Sequence, residues 1–361
     1  MDIHEIENKR IAVLLSGGVD SSVVVYEFAK LGLHPDCFYI KIGPDESEEW
    51  DCSSEEDLEM ATAVAHKYGC KLEVIDCHRE YWDQVTKYTM DKVRAGYTPN
   101  PDVMCNRLIK FGAFDEKRGH DYDLIATGHY AQTEIDAEGR KWLCTSPDPV
   151  KDQTDFLAQI ENWQLQKALF PIGHYMKDEV RQIAEREHLV NAKRKDSQGI
   201  CFLGKINYND YIRRYLGENP GDVIELETGQ RIGEHKGLWF HTIGQRKGMG
   251  FSGGPWFVVK KDVPRNILYV SHGYDPSTAY KQDFPVRAFH NLSLGPGPSD
   301  RFVTFKIRHT PEYHRGELEW TSPDEFIVHS KEKIHGVAPG QFCVIYDEDH
   351  HRCYGSGEIS I

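Results

Sequence analysis

Residues 11–22, IAVLLSGGVDSS, constrain what this chain can fold into more than any other stretch. An apolar run of strand character passes into two glycines, an acid and two serines, and the following VVVYEFAKLG carries an amphipathic helical pattern. That order predicts a strand, a loop and a helix built around an anion. Gly17 and Gly18 permit positive φ and let a phosphate approach the backbone. Ser21 and Ser22 are expected to cap the helix, whose free N–H groups and positive dipole end face the phosphate. Asp20 falls where a Mg2+ ion bridging phosphates would be held. The spacing G-x-x-x-x-G-K-[ST] occurs nowhere in the chain, so the cradle differs from that of the common NTPases.

Further strands are predicted over 36–42, 71–76 and LIAT before Gly128, with helices between them. This alternation predicts an α/β unit with a doubly wound parallel sheet. Ligands bind such sheets at the carboxyl ends of strands, where Ser16-Gly17 and Thr127-Gly128 fall. Between the third and fourth strands lies TPNPDVMCNRLIKFG (98–112). Its two prolines impose a stiff extended loop, and a helix is expected to start after Asn106 as its cap. Cys105, just ahead of that helix, would feel the positive end of the dipole, which makes it a candidate thiolate. Residues 131–146 read as a hairpin, followed closely by Lys151, Asp152 and Gln153. A second cysteine motif, KRKDSQGICFLG (193–204), places Cys201 in a glycine-flanked apolar turn.

With 361 residues the chain is long enough for two or three domains. Its character changes near Asn207, where a helix leads into the glycine-rich run 233–259 with its basic and aromatic residues. From about Lys281, short alternating segments separated by Pro and Gly predict a small antiparallel β-barrel or sandwich. The expected division is 1–206 for a nucleotide-binding catalytic domain, 207–280 for a small central α+β domain and 281–361 for the C-terminal β-barrel.

Nine cysteines without a C-x-x-C pair argue against a secreted disulfide framework and a four-cysteine zinc ribbon. No run approaches the ~18 apolar residues of a membrane span, and MDIHEIENKR lacks the apolar core of a signal peptide. The expected compartment is the cytoplasm, with no membrane association. A net charge of -14 weighs against a general nucleic-acid binder. The charge is uneven, however. The acidic run 45–59 reads as a solvated helix start pointing away from RNA, without a resident metal site, whereas the tract 177–195 is locally basic.

The loop resembles the PP-loop of the adenine-nucleotide α-hydrolase-like ATP pyrophosphatases, which split ATP between its α- and β-phosphates. SGGVDSS, TPNPDVMCN, IKFG, ATGHYA, KDQTDFL, DSQGICFLG, GEHKGLWFHTIGQRKGMG and PWFVV occur in the order seen in the bacterial tRNA-specific 2-thiouridylases, and this likeness covers essentially the whole chain. It implies 2-thiolation of the wobble uridine in tRNAs for Lys, Glu and Gln, with ATP and Mg2+ forming an adenylated uridine. It further implies a persulfide on Cys201, supplied by a cysteine desulfurase or sulfur carrier. Cys105 would then reduce that persulfide, leaving a Cys105–Cys201 disulfide, with Asp102 as general acid or base. The same resemblance places nucleotide contacts on Leu14, Leu15, Ser16, Gly17, Gly18, Val19, Asp20, Ser21, Ile40 and Gly128. It places tRNA contacts on Asn100, Pro101, Asp102, Lys151, Asp152, Gln153, Arg308 and His309. Where the family commonly has K-I-R-Y-R-Q, this chain reads KIRHTP over 306–311.

Other readings stay open at this point. An iron–sulfur cluster on Asp102, Cys105 and Cys201 would replace the persulfide. A PP-loop amidating synthetase would bring a glutaminase motif, and a 2-thiocytidine enzyme would bring C-x-x-C pairs; neither is present. A non-catalytic nucleotide- or RNA-binding protein would have no need for Asp20, Asp102, Cys105 and Cys201 together.

Overall fold

All four residues of β1 (Ile11–Leu14) are buried, as expected of a strand with neighbours on both edges and helices on both faces. In the computed structural model, which describes residues 6–42, 54–195, 208–273, 277–293 and 302–360, its sheet partners are β2 (Asp36–Lys41), β3 (Leu72–Asp76), β4 (Leu124–Ala126) and, after a hairpin of β5 (Gln132–Ile135) and β6 (Lys141–Cys144), β7 (Ala168–Leu169). The order is β3-β2-β1-β4-β7, and every pairing is parallel. Helices α1 (Val19–Ala29) and α2 (Ser54–Lys67) bury Val23, Phe28, Val64 and Ala65 on one face. On the other face lie α3 (78–94) and α4 (101–117), which contribute Tyr81, Val85, Ile109 and Phe114. The sheet is doubly wound, as the alternation of strands and helices predicts.

Helix α4 corrects one expectation. It starts at Pro101, five residues before Asn106, and runs on through a π-helical stretch at Asn106–Ala113. Asn100 is its cap: Oδ1 accepts from the backbone N–H groups of Asp102 and Val103 at 3.1 and 3.3 Å. Proline at the first helical position loses no hydrogen bond and brings its φ already set.

Short helices α5 (Thr154–Leu157) and α6 (Asn162–Lys167) and the longer α7 (Lys177–Arg186) complete this unit. Helix α8 (Tyr208–Leu216) then docks Tyr211 and Ile212 onto Met90 and Val93 of α3. It leads into a four-stranded mixed sheet of β8 (Gly221–Glu225), β9 (Arg231–His235), β10 (Trp256–Asp262) and β11 (Ile267–His272), in which β8 and β11 run parallel.

The last six strands are β12 (Tyr280–Asn291), β13 (Phe302–Lys306), β14 (His314–Ser322), β15 (Glu325–His335), β16 (Phe342–Tyr346) and β17 (Arg352–Ile359). They form a closed antiparallel barrel, because the long β12 pairs with β15 from Tyr280 to Val286 and with β17 from Val286 to Asn291. Closure removes both sheet edges. Strand β6 adds to β17, Arg352 opposite Cys144, and Leu292, Val344, Tyr346 and Cys353 of the barrel share one core with Leu143 and Leu157. The core therefore crosses the boundaries expected between domains. Among the described residues, no helix is long and apolar enough to cross a membrane.

Candidate active site at the strand ends

The loop after β1 is shaped by contacts that exclude side chains. Gly17 has φ +78, and a Cβ there would lie 2.2 Å from the carbonyl oxygen of Asp57 on α2. At Gly128, beyond β4, a Cβ would lie 2.9 Å from the Ser21 nitrogen, so glycine sets how closely the β4 end approaches α1. The cap of α1 is Gly18, and no side chain caps the helix. Ser21 and Ser22 lie inside its first turn and donate to Gly18 O at 3.1 and 2.8 Å, which corrects their expected capping role. A helix end without a side-chain cap, facing a glycine cradle, suits an anion. Leu14, Leu15 and Val19 are buried, so any nucleotide contact there falls to their main chain. Ile40 is half-buried on β2.

Asp20 is held by groups distant in sequence. Its carboxylate accepts from Tyr130 Oη at 2.8 Å and from Lys177 Nζ at 2.7 and 2.9 Å. Tyr130 is itself paired with Gln153: its N–H donates to Gln153 Oε1 at 3.0 Å, and the Gln153 N–H donates to Tyr130 O at 2.9 Å. Asn191 Nδ2 donates to Gly17 O at 2.7 Å and to Ser22 Oγ at 2.8 Å. Arg194 pairs with Asp57 and reaches Gly17 O at 3.4 Å. The basic tract thus folds back on the loop through Arg194, and α2, expected to point away, supplies Asp57 to it. Sequence reasoning missed Lys177, Tyr130 and Asn191 as site residues. One signal was available, since a lysine in the first turn of α7 opposes the helix dipole.

The glycine cradle, the helix end and the partly exposed Asp20 carboxylate, with 32% of its side chain accessible, make a donor set that fits Mg·ATP. Second to it is α4. Asp102 lies in its first turn, so the positive helix end sits at Asp102. Cys105 follows one turn later, only 1% exposed, in a core with Ile109 and Phe111. Further along, Lys110 Nζ donates to His129 Nε2 at 3.4 Å, which leaves the ring proton on Nδ1 to donate to Thr127 Oγ1 at 2.8 Å. Burial, helped by Lys110, holds His129 well below the ordinary imidazole range. At its other end, α4 is anchored to the barrel. Thr98 N–H donates to Pro339 O at 2.8 Å, and Gln341 Nε2 donates to Thr98 O at 2.6 Å. Asn100 and Pro101 follow directly.

The expected tRNA contacts separate in the structure. Asp152 is 1% exposed and accepts from Ser146 N, Thr154 Oγ1, Tyr313 Oη and the equally buried Lys306 at 3.0, 2.8, 3.1 and 3.3 Å. A surface contact is replaced by an interior junction between the sheet unit and the barrel. Gln153 faces Tyr130, and Lys151 is half-buried above Asp148, whose carboxylate accepts both the Lys151 and Lys177 N–H groups. Arg308 donates to His335 O at 3.0 Å and to Gly336 O at 2.5 Å. His309 pairs with Asp155 at 3.1 Å and lies against Phe156, centroids 4.6 Å apart. Phe156 O in turn accepts from Asn106 Nδ2 on α4. Cys201 lies outside the described residues.

Comparison with known proteins settles the family. The model described as the tRNA methyl transferase HUP domain matches residues 9–205, more than half of the chain. The tRNA-specific 2-thiouridylase MnmA 1 of Bacteroides thetaiotaomicron is 59% identical over 353 residues, covering 97% of this chain and 99% of that one. The chain belongs to the tRNA-specific 2-thiouridylase family. Further 2-thiouridylases, from Parabacteroides distasonis at 58% identity (97% and 98% covered) and Porphyromonas gingivalis at 56% (97% and 99%), match along the same length. Two more family models, a tRNA methyl transferase PRC-barrel domain and an aminomethyltransferase beta-barrel domain, match residues 209–272 and 284–359 of this 2-thiouridylase family member.

Proposed function

We propose that the chain is an ATP-dependent tRNA-uridine 2-sulfurtransferase of the cytoplasm, acting at position 2 of the wobble uridine in tRNAs for Lys, Glu and Gln. One arrangement carries this reading. Helix α4, bearing Asp102 and Cys105, spans from the loop fixed on Pro339 to His129 beside the glycine cradle.

Oxide leaves a carbonyl carbon poorly, and ATP supplies an adenylyl group to O2 that turns the leaving group into AMP. Gly17, Gly18 and the first-turn N–H groups of α1 hold the phosphates, stabilising the pyrophosphate that departs. Asp20, whose carboxylate also pairs with Lys177, would hold Mg2+, which would offset the phosphate charge. Asp102, at the helix end and next to Asn100, moves a proton at the base. The base reaches it only by leaving its stack. Sulfur arrives as a persulfide on Cys201 from a cysteine desulfurase or sulfur carrier. Either the persulfide attacks C2 and Cys105 then attacks the Cys201 sulfur to free the product, or Cys105 releases hydrosulfide, which attacks. Both routes end in a Cys105–Cys201 disulfide that an external thiol must reduce.

The test uses labelled sulfur from a cysteine desulfurase, with nucleoside mass spectrometry of the tRNA. Cys105→Ser should take up label without forming 2-thiouridine, and Cys201→Ser should do neither. Equal labelling of the two variants rejects the division of roles, and wild-type 2-thiouridine from Cys201→Ser rejects the persulfide reading.

A further inference from the structure

Where the hairpin of the sheet unit joins the barrel, three different metal-ligand types converge. Strand β6 runs between β5 and β17, with Cys144 opposite Gln132 on one side and Arg352 on the other. Directly opposed residues share a face, as do residues two apart on one strand, so Glu134 lies on the face of Cys144. His351 sits just ahead of β17. A carboxylate oxygen of Glu134, the sulfur of Cys144 and a ring nitrogen of His351 all lie within 4.8 Å of one another. Among the described residues this is the one such group of His, Cys, Asp or Glu ligands.

The protein itself positions the three side chains. Glu134 Oε2 is 3.1 Å from His351 Nε2, and its Oε1 accepts from Arg352 Nε. His351 is fixed through its backbone: its N–H donates to Asp347 Oδ1 at 2.7 Å, and its carbonyl accepts from Thr145 N–H at 2.9 Å. Cys144 is 1% exposed, and its S–H donates to the Trp142 carbonyl across 3.9 Å. So long a contact leaves the thiol weakly satisfied. Beside the cluster opens a cleft of about 380 Å³, lined by Thr145, Asp349, His350 and His351 among others. It offers an ion a path in from solvent.

The donor set selects the metal, since thiolate and imidazole favour zinc over magnesium or calcium, which take oxygen ligands. Ligand atoms around a tetrahedral zinc ion lie roughly 3.3–3.8 Å apart. The Glu134–His351 pair already stands near that spacing, and closing a gap of at most 4.8 Å requires a movement of about 1 Å. We infer that Glu134 Oε2, Cys144 Sγ and His351 Nε2 bind one Zn2+ ion, with its fourth position facing the cleft, and so tie β5 and β6 to the barrel at β17. Arg352 on Oε1 orients the carboxylate from behind. Without metal, burial and the charge of Glu134 push the Cys144 thiol up to about 12. Binding therefore displaces one thiol proton, and the His351 ring proton comes to rest on Nδ1. None of the three ligands takes part in the proposed sulfur transfer.

The experiment uses the full-length chain with Cys105→Ser and Cys201→Ser, so that zinc on those two thiols does not count. The protein is stripped with a chelator and titrated with Co2+, then with Zn2+. A thiolate-to-cobalt charge-transfer band in the near ultraviolet should saturate at one equivalent and vanish as Zn2+ displaces Co2+, and saturating Zn2+ should raise the melting temperature. Adding Cys144→Ser should abolish the band. Adding His351→Gln, at a side chain 49% exposed and so tolerant of change, should weaken Zn2+ binding at least about tenfold while the chain stays folded. No charge-transfer band at one equivalent, or a His351→Gln chain that binds Zn2+ as tightly as its parent, overturns the inference.

Discussion

Lys177 Nζ lies 2.7 and 2.9 Å from the two carboxylate oxygens of Asp20, across 157 residues of sequence. The pair joins the first turn of α7 to the first turn of α1, with Tyr130 as a third member. It places a fixed positive charge at the nucleotide loop, where phosphate charge would gather.

Lys177→Met keeps the aliphatic stem and removes the ammonium. We expect pyrophosphate release in the presence of tRNA to fall about tenfold to a hundredfold in kcat/KM for ATP, with a shifted Mg2+ dependence and a melting temperature within a few degrees of wild type. Unchanged kinetics would leave Lys177 with no part in the site.

Gly17→Ala meets both a positive φ and the Asp57 carbonyl at 2.2 Å. Because the obstacle is backbone, relief requires α2 or the loop to shift, at a cost of more than about 2 kcal/mol. Gly18→Ala, at an extended φ of -75 with only the Ser16 hydroxyl at 3.4 Å, should cost much less stability. Chemical denaturation of the two variants should separate them, and equal losses would contradict the loop geometry.

Asp152→Ala would leave Lys306 buried without its carboxylate. Removing one partner of a buried pair typically costs about 3–5 kcal/mol. The variant should therefore lose stability before it loses anything specific to tRNA. A variant of normal stability that binds tRNA weakly would return Asp152 to the RNA surface.

Acidification should act through His129. Its folded value is depressed below the unfolded one of about 6.5, so the unfolded chain binds more protons. The stability it contributes is present above that pH and is lost as pH falls below it. Urea denaturation at about pH 7.5 and about pH 5.5 should show a smaller acid-induced loss for His129→Gln than for wild type. Equal losses would mean another group governs this range.

The strand, glycine loop and helix at 11–22 were legible because each signal is local: an apolar run, two residues free of Cβ, and a helical period. The same holds for the alternating strands of the barrel and for the hairpin 131–146. The start of α4 was also local but ambiguous, since Asn100 and Asn106 can both cap; the proline after Asn100 favours the earlier start, which the structure adopts.

What the sequence by itself determined was thus the order and type of elements and the chemistry-bearing loop, all set by interactions between near neighbours. Only the tertiary structure decided that Asp152 is interior, that β12 closes the barrel, that β6 joins it, and that Lys177 faces Asp20. These depend on which distant groups exclude water from one another. Burial makes an unpaired charge costly, and no short-range pattern in a chain records which partner will arrive to relieve it.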